Sequence, residues 1–150
     1  KNLNIKKAWV YHSYDGLDEI SIFKKTKVYE LNNQKITSFE IDPTEYINKK
    51  YNFEDIVGND AEYNSKKILD LFNGDEGALH EIVSLNTAAG LIVLDKYQNL
   101  NDAFLFAKKH IKSKKVSHYF SVKVYLLYSK ATFSLFLIVF AHLCNLKIYL

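Results

Sequence analysis

The chain contains no arginine; all 20 of its basic residues are lysine. Arginine is the planar fork that reads base edges and grips phosphate through paired hydrogen bonds. Specific nucleic-acid recognition is therefore not expected. A single cysteine, Cys144, excludes an internal disulfide and any multi-cysteine metal site. As a lone thiol in an apolar stretch it reads as inert, and it fits a cytoplasmic protein. The five glycines fall in no phosphate-loop or dinucleotide pattern, which excludes the glycine-rich nucleotide cradles. The longest apolar run, Ala131–Leu146, has 16 residues between Lys130 and Lys147 and is interrupted by Thr132, Ser134, His142 and Asn145. A spanning helix needs about 20, so membrane insertion is not expected. No signal peptide is expected ahead of the first strand. The chain begins at Lys1 rather than Met and is expected to be part of a longer protein.

Acid is missing from the last third. All 17 acidic residues lie at or before Asp102, where 12 lysines oppose them for a balance of −5; residues 103–150 carry eight lysines and no acid, a balance of +8. A basic tail can serve nucleic acid or anionic lipid. The joint abundance of Lys, Asn, Ile, Tyr and Phe is explained more simply by an AT-rich coding sequence. With 150 residues and 48% hydrophobic content, the chain fits one domain or part of one.

The pattern along the chain is strands first and helices after. Residues 8–12 read as a short buried strand. Lys27–Leu31 and Ile36–Ile41 read as a hairpin, with Tyr29 and Leu31 alternating on one strand and Thr37, Phe39 and Ile41 on the other. Asn32-Asn33 supplies the positive φ that a tight turn needs. Pro43 starts a single helical turn through Tyr46 and Ile47. Asp60 caps a helix over 61–72 that stops at Gly74, with Ala61, Ile68, Leu69 and Phe72 on one face. A second helix over 77–94 is apolar nearly all round and should be buried. Asn86 on it reads as a satisfied buried amide. A third starts at the Asn99 cap, with Asp102 completing a capping box and Leu100, Ala103, Phe104, Ala107 and Ile111 facing inward. Lys108, Lys109 and Lys112 suit its dipole.

Between the first two strands lies Asp15-Gly16-Leu17-Asp18-Glu19. Asp18 and Glu19 are adjacent carboxylates at a strand mouth, with Asp15 on the same short loop. Clustered carboxylates repel and call for a cation. Magnesium takes oxygen ligands, often only one or two from protein, and completes its shell with water and phosphate. The competing reading is a solvated acidic turn. Gly16 provides the backbone freedom that aims Asp18. His12 could act as a general base, but a strand-end packing or hydrogen-bonding role is favoured. His80, His110, His118 and His142 lie far apart, without metal-ligand spacing. Trp9 and the tyrosines read as packing residues.

Read in order, these segments resemble anthranilate phosphoribosyltransferases. Ala8–Ser21 resembles that family's His-Gly-x-Asp-Gly-Leu-Asp-Glu segment. Lys27–Asp42 resembles the hairpin that follows, and Asp42-Pro43 its Asp-Pro step. Gly58-Asn59-Asp60-Ala61-Glu62-Tyr63-Asn64 resembles its Gly-Gly-Asp-Ala-x-x-Asn helix start, and Leu85-Asn86-Thr87-Ala88-Ala89 its Leu-Asn-Ala-Ala-Ala helix. The resemblance spans roughly residues 7–115. It implies an α/β fold: the C-terminal portion of a mixed-sheet domain of the nucleoside phosphorylase/phosphoribosyltransferase type, over residues 1–118. Residues 119–150 form an atypical apolar, basic tail, for which loss of the coding frame near residue 116 is one account and a buried helix or strand pair another.

The resemblance further implies transfer of phosphoribose from 5-phosphoribosyl 1-diphosphate to anthranilate in tryptophan biosynthesis. Asp18 and Glu19 would hold a magnesium ion against the diphosphate. Asp15 and Gly16 match the motif without an assigned ligand role. It assigns this stretch no catalytic or substrate-contacting residue, because the diphosphate cradle, the lysine-histidine-glycine loop and the anthranilate-side arginine lie upstream. The family's dimer contact is upstream too, so the chain alone should be inactive. Two departures stand out: Ser13 replaces a glycine, putting a tight backbone approach in doubt, and Asn59 replaces another, more mildly because Asn tolerates left-handed φ. The alternatives are a pyrimidine nucleoside phosphorylase-like enzyme, for which the Asp18-Glu19 pair has less use, and a non-enzymatic membrane-associated protein anchored by its tail. A partial sheet is expected to leave an unpaired edge and exposed apolar faces, favouring aggregation or loose packing.

Overall fold

The computed structural model describes residues 5–116. The apolar basic tail expected over 119–150, with Cys144 and His142, lies outside the described residues, as does His118. Three strands come first: β1 (Lys7–Ser13), β2 (Thr26–Asn32) and β3 (Lys35–Ile41). They form an antiparallel meander in the order β1-β2-β3. Three helices follow: α1 (Ala61–Phe72), α2 (Ala78–Val93) and α3 (Leu100–Lys112). The order of elements is the one the sequence predicts.

Two details of the sheet differ from expectation. The hairpin turn is Asn33-Gln34, with φ of 46° and 69°, not Asn32-Asn33. Asn32 is held in the ladder, opposite Lys7 on one side and Lys35 on the other, and this pairing moves the turn one residue on. β1 is also not buried throughout. Its sheet packs one face on the helices, so side chains alternate. Trp9 and Tyr11 turn inward with Val28 and Phe39, whereas Val10 is 68% exposed. For the same reason Val28 enters the core and Tyr29 does not. Trp9 meets Phe39 edge to face at 5.2 Å, and its indole N–H donates to Glu30 at 3.0 Å.

α2 is the central post. Every residue from His80 to Ala89 is buried, as its all-round apolar pattern predicts, and α3 packs along it through Ala103, Phe104, Ala107 and Ile111. Its C-terminus closes in a Schellman motif. Lys96 N–H reaches Leu91 O at 2.9 Å and Asp95 N–H reaches Ile92 O at 3.1 Å, with Asp95 at φ 54°. Lys7 of β1 donates to Ile92 O at 2.7 Å and pairs with Asp95 at 2.6 Å, fastening strand to helix end. At the other end Lys108 pairs with the mostly buried Glu81 at 2.7 Å. The buried His80 places Nε2 3.2 Å from Lys108 O, and burial holds its pKa below the ordinary histidine value.

The caps of α1 and α3 form at the expected residues. Asp60 accepts from Tyr63 N–H at 2.8 Å, and Gly74, at φ 98°, terminates α1. Asn99 accepts from Asp102 N–H at 3.1 Å, but only this forward half of the capping box forms. Pro43 opens a single 3-10 turn (Pro43–Glu45) whose end buries Ile47. The expected inner face of α1 is wrong in part. Ala61 and Leu69 are exposed, and burial falls on Leu71 and Phe72, because only the last turn of α1 reaches the core. Asn59 does not occupy left-handed φ. At Gly58 a Cβ would lie 2.9 Å from Asn64 Oδ1, so a side chain there would displace the Asn64 amide. Asn64 in turn accepts from Asn59 N–H at 2.8 Å and donates to Asn59 O at 3.0 Å.

Among the described residues β1 has a hydrogen-bonded neighbour on one side only. Beside that open edge, Ile5, Trp9, Tyr11, Gly90, Val93 and Leu94 line a largely apolar groove of about 410 Å³. No helix among the described residues is long and apolar enough to cross a membrane.

Candidate functional site

The acidic segment lies on the connection from β1 to β2, and that connection is tied down from within. Ile20 and Ile22 are buried in the core. Gly16, at φ +90°, makes the turn with nothing near its missing Cβ, so its glycine is required by backbone conformation, not by space. Gly16 N–H bonds Ser13 O at 3.1 Å, and Ser13 N–H bonds Leu17 O at 3.3 Å. Ser13 itself is fully buried opposite Thr26, so the serine is accommodated as an ordinary strand residue.

Asp15 does not join the other two carboxylates. Its Oδ1 accepts from Leu17 N–H at 3.2 Å and its Oδ2 from the Ser21 hydroxyl. Ser21 Oγ also accepts from Phe23 N–H at 2.9 Å and Lys24 N–H at 3.2 Å, while Ser21 N–H donates to Thr26 Oγ1 at 3.1 Å. Asp15 is thus a clasp across the loop. Burial alone would raise its pKa, but the hydroxyls of Ser13 and Ser21 and the Leu17 N–H outweigh it and hold it below the ordinary value. A depressed folded pKa contributes stability above the unfolded pKa, and that stability is lost as pH falls through the folded one. Asp15→Ala should accordingly lower the melting temperature at pH 7, with the gap from wild type closing toward pH 3. A gap unchanged across that range in thermal melts would contradict the clasp.

Asp18 and Glu19 remain. Asp18 is exposed and Glu19 half-buried. Among the described residues neither is in an ion pair or hydrogen bond with a basic group. Burial and then the negative charge of Asp18 push the Glu19 pKa up. Tyr11, raised by burial, also feels Glu19 and Asp18 in turn, which places its hydroxyl in the field of the pair. His12 does not share this place. Strand alternation puts it on the face opposite Tyr11, exposed and without a side-chain hydrogen bond among the described residues, rather than in the strand-end packing or hydrogen-bonding role expected of it.

Two adjacent carboxylates with unrelieved repulsion suit a hard divalent cation. No group of three His, Cys, Asp or Glu residues among the described residues could hold a metal. Two carboxylates cannot make a closed cage, but they could serve a hard cation that completes its shell with other oxygens. Sequence reasoning missed Ser21, Thr26 and Tyr11 as parts of this arrangement. It also found Asn86 without its partner: the amide Oδ1 accepts from Ile20 N–H at 2.9 Å, and Nδ2 donates to Ile20 O at 3.0 Å and Ile82 O at 2.9 Å.

Residues 1–116 match the family described as glycosyl transferase family, a/b domain. The chain belongs to the glycosyl transferase family. Within that family it is similar to the anthranilate phosphoribosyltransferase of Pelagibacter ubique, 46% identical over 114 residues that make up 76% of this chain and 34% of the relative. The corresponding Petrotoga mobilis enzyme is 43% identical over 114 residues, 76% of this chain and 33% of the relative. This glycosyl transferase chain therefore spans about a third of the length of these relatives. The fold is that of the Thermus thermophilus anthranilate phosphoribosyltransferase, with a TM-score of 0.70 at 23% identity, over 81% of this chain and 36% of that one. The Saccharomyces cerevisiae enzyme, solved with 4-fluoroanthranilate, matches with a TM-score of 0.64 at 19% identity, over 72% of this chain and 32% of that one. These likenesses bear out the transferase relationship and the α/β fold. They lend no support to a pyrimidine nucleoside phosphorylase or to a non-enzymatic protein.

Proposed function

We propose that this chain is the C-terminal third of an anthranilate phosphoribosyltransferase and contributes half of its metal site. The assembled protein transfers phosphoribose from 5-phosphoribosyl 1-diphosphate to anthranilate, giving N-(5-phosphoribosyl)anthranilate and diphosphate in the cytoplasm. The observation that carries this reading is the unpaired Asp18-Glu19 couple on a tied-down loop, in a chain 46% identical to such an enzyme.

The physical difficulty of the reaction is charge: diphosphate departs while the ribose gains oxocarbenium character. Magnesium, when bound, neutralises and orients the leaving oxygens. Asp18 and Glu19 would hold it. Gly16 and the Asp15 clasp aim the pair, and the half-buried setting of Glu19 keeps one ligand partly out of water. The cradle for both substrates is assigned to the upstream part of the protein. The test joins this chain to the upstream two thirds of the Pelagibacter ubique enzyme and follows magnesium-dependent consumption of anthranilate by fluorescence. Turnover in the joined protein, and none in the chain alone, is expected. A folded, soluble joined protein without turnover would sink the proposal.

A further inference from the structure

The acidic pair is held from two sides by hydrogen-bonded side chains other than its own. On one side is the Asp15 clasp. On the other is Asn86, 1% exposed and in the middle of α2, which reads both backbone groups of Ile20, the residue directly after Glu19. We infer that Asn86 is a positioning residue for the Asp18-Glu19 pair, transmitting the rigidity of the buried helix α2 to the metal loop. The inference rests on the reading of that pair as a magnesium site.

The chemistry favours asparagine at this place. Ile20 N–H needs an acceptor and Ile20 O a donor, and one carboxamide offers both on adjacent atoms. Aspartate would present no donor to Ile20 O, and an alanine would leave both groups buried and unpaired, since Ile20 is fully buried. The third bond, from Nδ2 to Ile82 O, lies within α2 and fixes the amide rotamer. The carboxamide therefore faces the loop in one orientation. Groups that orient metal ligands from behind are worth about 10- to 100-fold in metal affinity.

The test compares Asn86→Ala with Ser84→Ala in the full chain. Ser84 is equally buried on α2 but its hydroxyl donates to His80 O at 2.6 Å, within the helix. Both variants lose a buried hydrogen-bonding group, and only one touches the loop. Two readouts are taken: amide hydrogen exchange at Ile20, and magnesium-dependent pyrophosphate binding by calorimetry. Asn86→Ala should speed Ile20 exchange by about tenfold or more relative to Ser84→Ala and weaken binding by about tenfold. Ser84→Ala should keep wild-type affinity even where its melting temperature falls as far. Equal losses in the two variants, or unchanged Ile20 exchange in Asn86→Ala, would overturn the inference. Absence of binding by the wild-type chain would instead count against the metal reading, and Ile20 exchange would still decide whether Asn86 holds the loop.

Discussion

Asp18→Asn combined with Glu19→Gln is expected to abolish magnesium-dependent pyrophosphate binding while making the fold more stable at pH 7. The two effects have one cause. In the folded chain the two carboxylates are neighbours and Glu19 is half-buried, so its pKa is raised by burial first and by Asp18 second. A carboxyl whose folded pKa is raised favours the fold when protonated. Its anionic form works against folding, and this cost is absent below the ordinary glutamate pKa and grows as pH rises through the raised one. Amides remove the cost at pH 7 and make little difference near pH 4. They also remove both charges that this chain's half of the site supplies, and affinity should fall by more than about 100-fold, beyond what loss of an outer-shell partner costs. Calorimetry and thermal melts at the two pH values check both halves. Loss of binding with loss of stability would mean that the acids are structural. Retained binding would remove them from the site.

Phe104→Ala should cost about 3–5 kcal/mol, a large part of the roughly 5–15 kcal/mol that holds a typical domain. Phe104 is 1% exposed. Its ring meets Tyr46 edge to face at 6.3 Å, and Lys108 Nζ lies 5.2 Å from its centroid. The change would therefore open a cavity where α3 meets the 3-10 turn and loosen the lysine that pairs with Glu81. The next residue is the control. Leu105 is 55% exposed, and Leu105→Ala should stay within about 0.5 kcal/mol. Urea titrations of the two variants decide it. Similar midpoints would mean that α3 is not packed as described.

The helices were legible because their signals are local. Asp60, Gly74 and Asn99 act on backbone groups a few residues away, and the apolar circumference of α2 needs no partner to be recognised. The sheet was less legible. The alternation of Val28 and Tyr29 is ambiguous until pairing with Tyr11 and Phe39 selects a face, and the ladder on both sides of Asn32 moves the turn.

The site divides in the same way. Sequence by itself determined the element order, the helix caps, the adjacency of Asp18 and Glu19, and the need for flexibility at Gly16. Each of these follows from residue type and short spacing. Tertiary structure alone decided that Asp15 is a clasp across the loop, that His12 faces away, that Tyr11 shares the field of the pair, and that Asn86 grips Ile20. Those outcomes depend on contacts between residues as many as 66 positions apart. Spacing along the chain does not encode such a contact; only the packing of α2 against the β1–β2 connection brings its two ends together.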